Sequence, residues 1–543
     1  MAPPPITVAA KELFVRPGQG ALAMTLHPSQ QAVNRGAVLV EAVIPLPRGV
    51  LATADNLRVL DKQGVELPSS AEVLLRWHDA GHGLEAGLRS VRVRFVQTFS
   101  TTTPSVLWLQ VGERRRLTLT NHPAPLLVPA SQSNFFPNEY AVSEQIVEPA
   151  VHVTLPAEWL GASLLRTRSS TRTDGSRWAL LDQSLPEFAK TAVNDVPAHV
   201  TPENLINYQT DYEPWLFDRA GTLWTVYIRT GDVKWLRHAS RATQFYRNRV
   251  GTGYFDMRPA DLKYAYNLPL LISYALTGDQ TMLPPIRRMA DVAANDWFQP
   301  VYRSSLNFWT ERHLAYSVHA SLVAWEATGE AGYLARVNSI IAGNQLAFDD
   351  RSSGWSGGCV LHTVVQHEGG GRDSDRVVCS PWMSALYGEV LWRHYLVTGS
   401  HAGLKQLAQF GDFLAQQATY VSTEANANLN GRTFPYYLKG PTYDSKTYGV
   451  ADEWSDREHA CDVAGFAYRS AYSRKLLGQS GTAQVQLADR LMNTCLWNTA
   501  QWIRTGADTV AAGKTFYRLA PPRKFNWWFG TTSDLDWLTE AVR

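Results

Sequence analysis

One phrase recurs through the second half of this 543-residue chain and constrains its fold more than any other feature. Two apolar helical runs flank a turn written Thr-Gly followed by Asp, Glu or Ser. The phrase is LWTVYIRTGDVKWL at Leu223–Leu236, LISYALTGDQTML at Leu271–Leu283, LVAWEATGEAGYL at Leu322–Leu334 and LWRHYLVTGSHAGL at Leu391–Leu404. A worn copy, AYSRKLLGQSGTAQVQL, follows at Ala471–Leu487. Glycine suits the left-handed cap that ends one helix, and the short polar residue after it suits the N-cap of the next. Each copy therefore predicts an αα-hairpin, and hairpins that bury their apolar faces only on neighbours build solenoids or closed rings. Thr532–Val542 reads as one capped helix closing the array. Five hairpins plus that helix approach the six pairs of an (α/α)6-type toroid, complete or one element short.

Ahead of the hairpins the period changes. Ala37–Ile44, Val73–Trp77, Ser90–Phe95 and Val106–Val111 are short alternating runs between Pro- and Gly-bearing turns, the pattern of a β-sandwich or barrel. The switch lies near Val196–Glu203, which holds two prolines, so the expected domains are a β-rich module over 1–198 and a helical toroid over 199–543. A hydrophobic content of 45%, a charged content of 18% and a net charge of +2 give no reason to expect nucleic acid. No apolar run of about 18 residues is present, so no membrane helix is expected. The start MAPPPITV shows no signal peptide; the expected compartment is secreted or periplasmic with a leader removed, and cytosolic or phage-borne is the alternative. Cys359 and Cys379 could pair, although free thiols are equally expected for the four cysteines, and no zinc-ligand spacing exists.

The inserts before the hairpins carry the residues that chemistry would need. A β-eliminating lyase needs a base for the proton α to a uronate carboxyl, an acid for the leaving oxygen and a group that neutralises the carboxylate. A hydrolase needs two carboxyls flanking the glycosidic bond. NFWTERHLAY at Asn307–Tyr316 packs Trp309, Glu311, Arg312, His313 and Tyr316 together, with His313 and Tyr316 sharing a helix face. ADLKYAYN at Ala260–Asn267 offers Lys263, Tyr264 and Asn267, with Lys263 and Asn267 one helical turn apart. CVLHTVVQHEGGGRDSDR at Cys359–Arg376 reads as a lid in which His362, His367 and Arg372 ride beside a Gly369-Gly370-Gly371 hinge. VADEWSDREHAC at Val450–Cys461 adds Trp454, Glu458 and His459. Its Glu453, Asp456 or Glu458 would pair with Glu311 or Glu213 in a hydrolase. NYQTDYEPW at Asn207–Trp215 supplies Asn207, Tyr208, Tyr212 and Glu213 as a subsite wall. His313, Tyr316, His362, His367 and Tyr264 are thus the candidate catalytic groups, and the others bind substrate. Each cluster taken alone is equally an ordinary helix cap or surface ion pair; their shared position before successive hairpins is what gathers them around one mouth.

Val43–Trp77 and Leu88–Phe95 resemble the RIFT-type barrel that opens the exo-rhamnogalacturonan lyase and YetA-like family, with Pro45, Pro47, Gly49, Leu51, Leu57, Asp61, Gly64, Glu66, Pro68 and Trp77 in the places of the family phrase. After the Trp this chain has His78-Asp79-Ala80-Gly81-His82-Gly83 where the family carries an Asp-Gly-Ser turn. The resemblance implies a barrel followed by an (α/α)6 toroid and a polysaccharide lyase acting on a uronic-acid polymer, its partner being an acidic polysaccharide. A glycoside hydrolase on the same toroid and a non-catalytic glycan binder are the alternatives. No cofactor or metal is called for, although the acidic stretch at Asp452–Glu458 would suit a structural calcium.

Overall fold

The structure, a computed structural model, describes residues 4–9, 12–14, 20–129, 146–169, 215–296, 310–349, 357–365, 375–446, 456–505, 507–511, 514–517 and 523–543. The expected boundary at 198 lies outside them. In chain order the first strands are β1 (Gly20–Pro28), β2 (Ala37–Pro45), β3 (Leu57–Leu60), β4 (Glu66–Leu67), β5 (Ser69–Trp77), β6 (Gly87–Thr98), β7 (Ser105–Val111), β8 (Leu127–Pro129), β9 (Val147–Pro149) and β10 (Val151–Thr154). Short helices α1 (Gln30–Arg35) and α2 (Ala157–Ala162) interrupt and follow them. The four runs read as strands fall within β2, β5, β6 and β7. One antiparallel sheet has the order β10-β1-β7-β3-β4 and a second the order β2-β6-β5, with Val40 opposite Phe95. Their inward residues, among them Met24, Val40, Val59, Phe95 and Leu109, share one core. Among the described residues the two sheets are hydrogen-bonded separately, as in a sandwich. The closed barrel implied by the resemblance is not confirmed.

The helical part is a closed ring. Its pairs are α3 (Arg219–Thr230) with α4 (Val233–Arg247), α5 (Leu268–Thr277) with α6 (Leu283–Asp296), α7 (Glu311–Thr328) with α8 (Ala331–Asp349), α9 (Pro381–Thr398) with α10 (Ala402–Gln416), α11 (Ala460–Leu476) with α12 (Thr482–Thr505), and α13 (Arg523–Thr531) with α14 (Leu535–Ala541). The first member of each pair touches the first member of the next, and α13 packs back on α3. The closing element is therefore two short helices where the sequence reading expected one. Asp534 breaks them apart, its carboxylate taken by Arg469 at 2.8 Å and by the Thr167 hydroxyl at 3.0 Å. Inner helices read apolar all round because both faces are covered; every residue of α9 except Glu389 is buried.

The recurring turn has a mechanism for each of its letters. Gly231, Gly278, Gly329 and Gly399 hold φ of 64°, 70°, 73° and 76°, a region that a side chain disfavours. Each donates its N–H to an aromatic residue's carbonyl one turn back: Tyr227, Tyr274, Trp325 and Tyr395. The preceding threonines act twice. Thr230, Thr277, Thr328 and Thr398 donate their hydroxyls to the carbonyls of Val226, Ser273, Ala324 and His394. The same hydroxyls accept the N–H groups of Asp232, Asp279, Glu330 and Ser400.

These turns end the inner helices against the β-rich part. A Cβ on Gly278 would strike Arg92, one on Gly329 would strike His78, and one on Gly399 would strike Leu84. Arg92 donates to the Gly278 carbonyl at 2.6 Å, Arg48 to that of Val397 at 2.6 Å, and the Ser90 hydroxyl to that of Ala275 at 2.8 Å. Cations at helix C-termini complement the dipole. Deeper in, Glu326 of α7 is gripped by Arg89 at 2.6 Å and by both arms of Arg393 at 2.7 Å, with all three side chains at most 5% exposed. Glu326→Ala would strand two buried guanidinium groups. We expect a loss of roughly 3–5 kcal/mol, read as a lower denaturant midpoint; an unchanged midpoint would mean that the triad does not hold sheet and ring together.

Candidate active site

Inside the ring lies a cavity of about 90 Å³, between the residues that lead into α3 and α5, the middle turns of α7, α9 and α11, and helix α13. Its entrance is built on strain. Trp215 stacks on Phe245 with centroids 5.0 Å apart, and the two residues that lead into α3, Phe217 and Asp218, hold φ of 64° and 61°. Consecutive left-handed residues other than glycine are costly and recur at functional sites. The Tyr266 hydroxyl accepts the Phe217 N–H at 2.8 Å, and the Asp218 carboxylate caps α3 by accepting the Gly221 N–H at 2.8 Å. Around the cavity stand Asp218, Tyr266, Tyr316, His319, Glu389, Arg469, Trp527 and, from the segment after α2, Arg166.

Two carboxyl groups face this space. Glu389 leaves 27% of its side chain open to the cavity although protein encloses it, and its Oε1 lies 3.6 Å from Arg469. Burial pushes the Glu389 carboxyl upward against the pull of Arg469 and Arg166, and the nearby Asp534 and Asp462 push the same way. Burial likewise raises Asp218, opposed by Arg166 at 3.7 Å. Burial next to Arg393 lowers His319 to about 3, so its imidazole is neutral. None of these groups was singled out from the sequence. The available signal was a lone charge inside an apolar run, as Glu389 is in MSALYGEVLW and Arg469 in AGFAYRSAY.

The residues expected from sequence fall into three groups. At the rim, Arg312 lies over the Trp382 ring at 5.6 Å, and His459 stacks on Trp382 at 4.4 Å with Trp527 edge-on at 5.4 Å. His313 bonds the Thr310 hydroxyl at 2.9 Å; burial, with Arg312 and Lys263 nearby, lowers it to about 3. Tyr316 lines the cavity, and burial raises its phenol. Half-buried Lys263 lies 3.4 Å from Asp261, and Glu458 offers its backbone carbonyl to Trp528.

A second group is structural in its surroundings. Tyr264 is in the core, its carbonyl accepting from the Tyr246 hydroxyl at 2.5 Å. Asn267 is fully buried and donates to the Ala320 carbonyl at 2.8 Å. Lys263 and Asn267 do not share a helix face, because residues 262–264 form a separate turn and α5 begins only at Leu268. Glu311 and His362 have no exposure and meet at 2.9 Å, and Glu311 also accepts the Ser380 N–H at 2.7 Å. Burial lowers His362, yet the Glu311 carboxylate outweighs it and the net shift is upward. His362 therefore belongs not to an open lid but to the interior, in a two-residue strand beside the Cys359–Cys379 disulfide. Cys461 and Cys495 form a second disulfide, so among the described residues no cysteine is free.

A third group, Asn207, Tyr208, Tyr212, Glu213, Trp309, His367, Arg372 and Trp454, lies outside the described residues, as does Glu453. The remaining carboxylates of the proposed hydrolase pairing are not together. Asp456 accepts from the Tyr420 hydroxyl and the Tyr437 N–H, both at 2.8 Å, while Glu311 is held by His362. Among the described residues no group of three metal-binding side chains occurs.

No family model matches this chain, and no curated protein matches it. Solved structures similar at low identity include the following three. An unsaturated glucuronyl hydrolase specific for heparin is 11% identical over 65% of this chain and 96% of its own, with a TM-score of 0.40. The Lin0763 protein from Listeria innocua is 15% identical over 66% and 95%, with a TM-score of 0.38. A possible member of the GH105 family from Klebsiella pneumoniae is 13% identical over 69% and 96%, with a TM-score of 0.40. None of the three is named as a rhamnogalacturonan lyase.

Burial raises Asp456 from 3.8 to about 6, despite the bonds it accepts. A carboxyl whose folded pKa lies above its unfolded one stabilises the fold fully below about pH 4 and stops doing so as pH rises through about 6. Asp456→Asn should therefore flatten the dependence of the melting temperature on pH across that window. An identical slope in the variant would remove Asp456 as its source.

Proposed function

We propose that this chain is a glycoside hydrolase that cuts acidic oligosaccharides in the ring cavity, with Glu389 as general acid and Asp218 as base or nucleophile. The observation that carries this reading is the pair of enclosed carboxyl groups, Glu389 and Asp218, on one cavity in different settings. Glu389 has two acidic neighbours that favour its protonated form, as a proton donor to a leaving oxygen requires. Asp218 is oriented by the Gly221 N–H and faces Arg166, both of which oppose the upward push of burial on its carboxyl. Trp527 gives the cavity an apolar wall against which a sugar ring could pack, backed by Trp382 and His459. Arg312 and Lys263, both near enough to lower His313, add positive charge that attracts anions. The two disulfides suit an oxidising compartment, and a secreted or periplasmic location is part of the proposal.

One observation favours β-elimination instead. His313 is neutral beside Arg312 and near Tyr316, a base next to a carboxylate-neutralising cation. Against it, burial drives the Tyr316 and Tyr266 phenols away from ionisation, the opposite of what a tyrosinate base needs.

A panel of uronate-bearing oligosaccharides separates the readings. Hydrolysis releases reducing ends without ultraviolet absorbance, whereas elimination creates an absorbing C4–C5 double bond. We expect the first, with Glu389→Gln and Asp218→Asn each reducing turnover by about 10²-fold or more. Absorbing products that survive both substitutions but vanish in His313→Ala would establish the lyase.

A further inference from the structure

Arg166 reaches the cavity from outside the ring. It lies on the segment that follows α2, and that segment is clamped so that it cannot withdraw. Arg393 donates to the Leu165 and Arg166 carbonyls at 3.3 and 2.7 Å, and the Thr167 hydroxyl donates to Asp534 at 3.0 Å. Arg168 bonds the carbonyls of Glu12 and Ala9, both at 3.1 Å. Leu164, at φ 52°, takes a strained left-handed turn to aim the next residues inward.

The guanidinium enters through a slot that glycine makes possible. A Cβ on Gly221 of α3 would strike the Asp218 carboxylate first and lie 2.8 Å from Nη1 of Arg166, and one on Gly530 of α13 would lie 3.0 Å from Nη2. These are the two helices that close the ring on each other. Glycine inside a helix is destabilising, so two of them at one guanidinium mark a fit.

What the guanidinium meets there is incomplete. Among the described residues its Nη1 is buried without a hydrogen bond, and the Asp218 carboxylate oxygen is 3.7 Å away. A guanidinium has five donors in a planar fork that matches a carboxylate bidentately, and an enclosed donor without an acceptor is costly. Asp218 caps α3 and stands beyond hydrogen-bond reach of Arg166, and Glu389 lies beside Arg469 instead.

We propose that Arg166 is the cavity's receptor for the carboxylate of a uronate residue, so that the segment following the sandwich supplies the group with which the ring recognises its substrate. The inference rests on the acidic-glycan reading above, but its test needs no turnover. Binding of D-glucuronate and D-glucose to the full chain is measured by ligand-observed NMR, with thermal unfolding as the check on folding. Wild type should prefer glucuronate by about tenfold or more. Arg166→Met should abolish that preference while glucose binding stays as it was, and Arg166→Lys should restore it in part. A retained preference in Arg166→Met, or none in wild type, overturns the inference. If Arg166→Met does not unfold cooperatively, Gly530→Ala decides, since it keeps the charge but crowds Nη2: a weakened preference supports the inference and an unaltered one refutes it. Arg166-dependent preference without any release of reducing ends would sink the hydrolase reading and leave the receptor standing.

Discussion

The structure depends on one buried carboxylate. Glu326 lies in the last turn of the inner helix α7, and one of its two guanidinium partners, Arg89, comes from strand β6 and the other, Arg393, from helix α9. Burying three charges is expensive unless their hydrogen bonds are met, and the Coulombic gain alone rarely compensates. Here the arrangement specifies position: Arg89 also lies over Trp77 at 4.4 Å, and Arg393 also holds the carbonyls of Leu165 and Arg166. Sheet, ring and the strap that carries Arg166 are thereby referred to a single point. A second cluster repeats the device at the side, where Glu148 of β9 takes Arg237 at 2.6 Å and Arg241 at 3.1 Å from α4.

That fixed docking explains the polarity of the ring. The sandwich and the strand-to-helix connection meet the ends at which four of the inner helices finish. The cavity within the ring is bordered by the guanidinium groups of Arg166, Arg393 and Arg469, which favour an anionic occupant. The two enclosed carboxyls, both raised by burial, are the counterpart to those cations.

The hairpins were legible in the sequence because their signal is local: a glycine with positive φ, a threonine bridging its own helix end and a polar cap all lie within a few residues. The strands were legible for the same reason, through period-two alternation. The sixth pair was half hidden, because RKFNWWFGT looks like an aromatic loop until α3 and α11 are present to cover it. The candidate site was less legible still. His313, Arg312, Tyr316 and His459 were found by their position before a hairpin, and the structure gathers them near one opening. Glu311 and His362 carried the same signal but satisfy each other in the interior. Arg166, Asp218 and Glu389 come from three distant stretches, and only ring closure brings them together.

The hairpin turns carry a further consequence. The four that keep Thr-Gly and a polar cap are those whose glycines press on the sandwich or the strand-to-helix connection: Leu155 behind Gly231, Arg92 behind Gly278, His78 behind Gly329 and Leu84 behind Gly399. The fifth, at Gly478, has Leu477 in place of the threonine, and a Cβ there would meet nothing. A hairpin needs only a way to turn; a hairpin that must also seat flush against a second surface needs a turn of fixed height and direction. The regularity of the phrase is thus a footprint of the neighbouring module, printed into the helical half of the chain, and its fading at the fifth copy marks where that footprint stops.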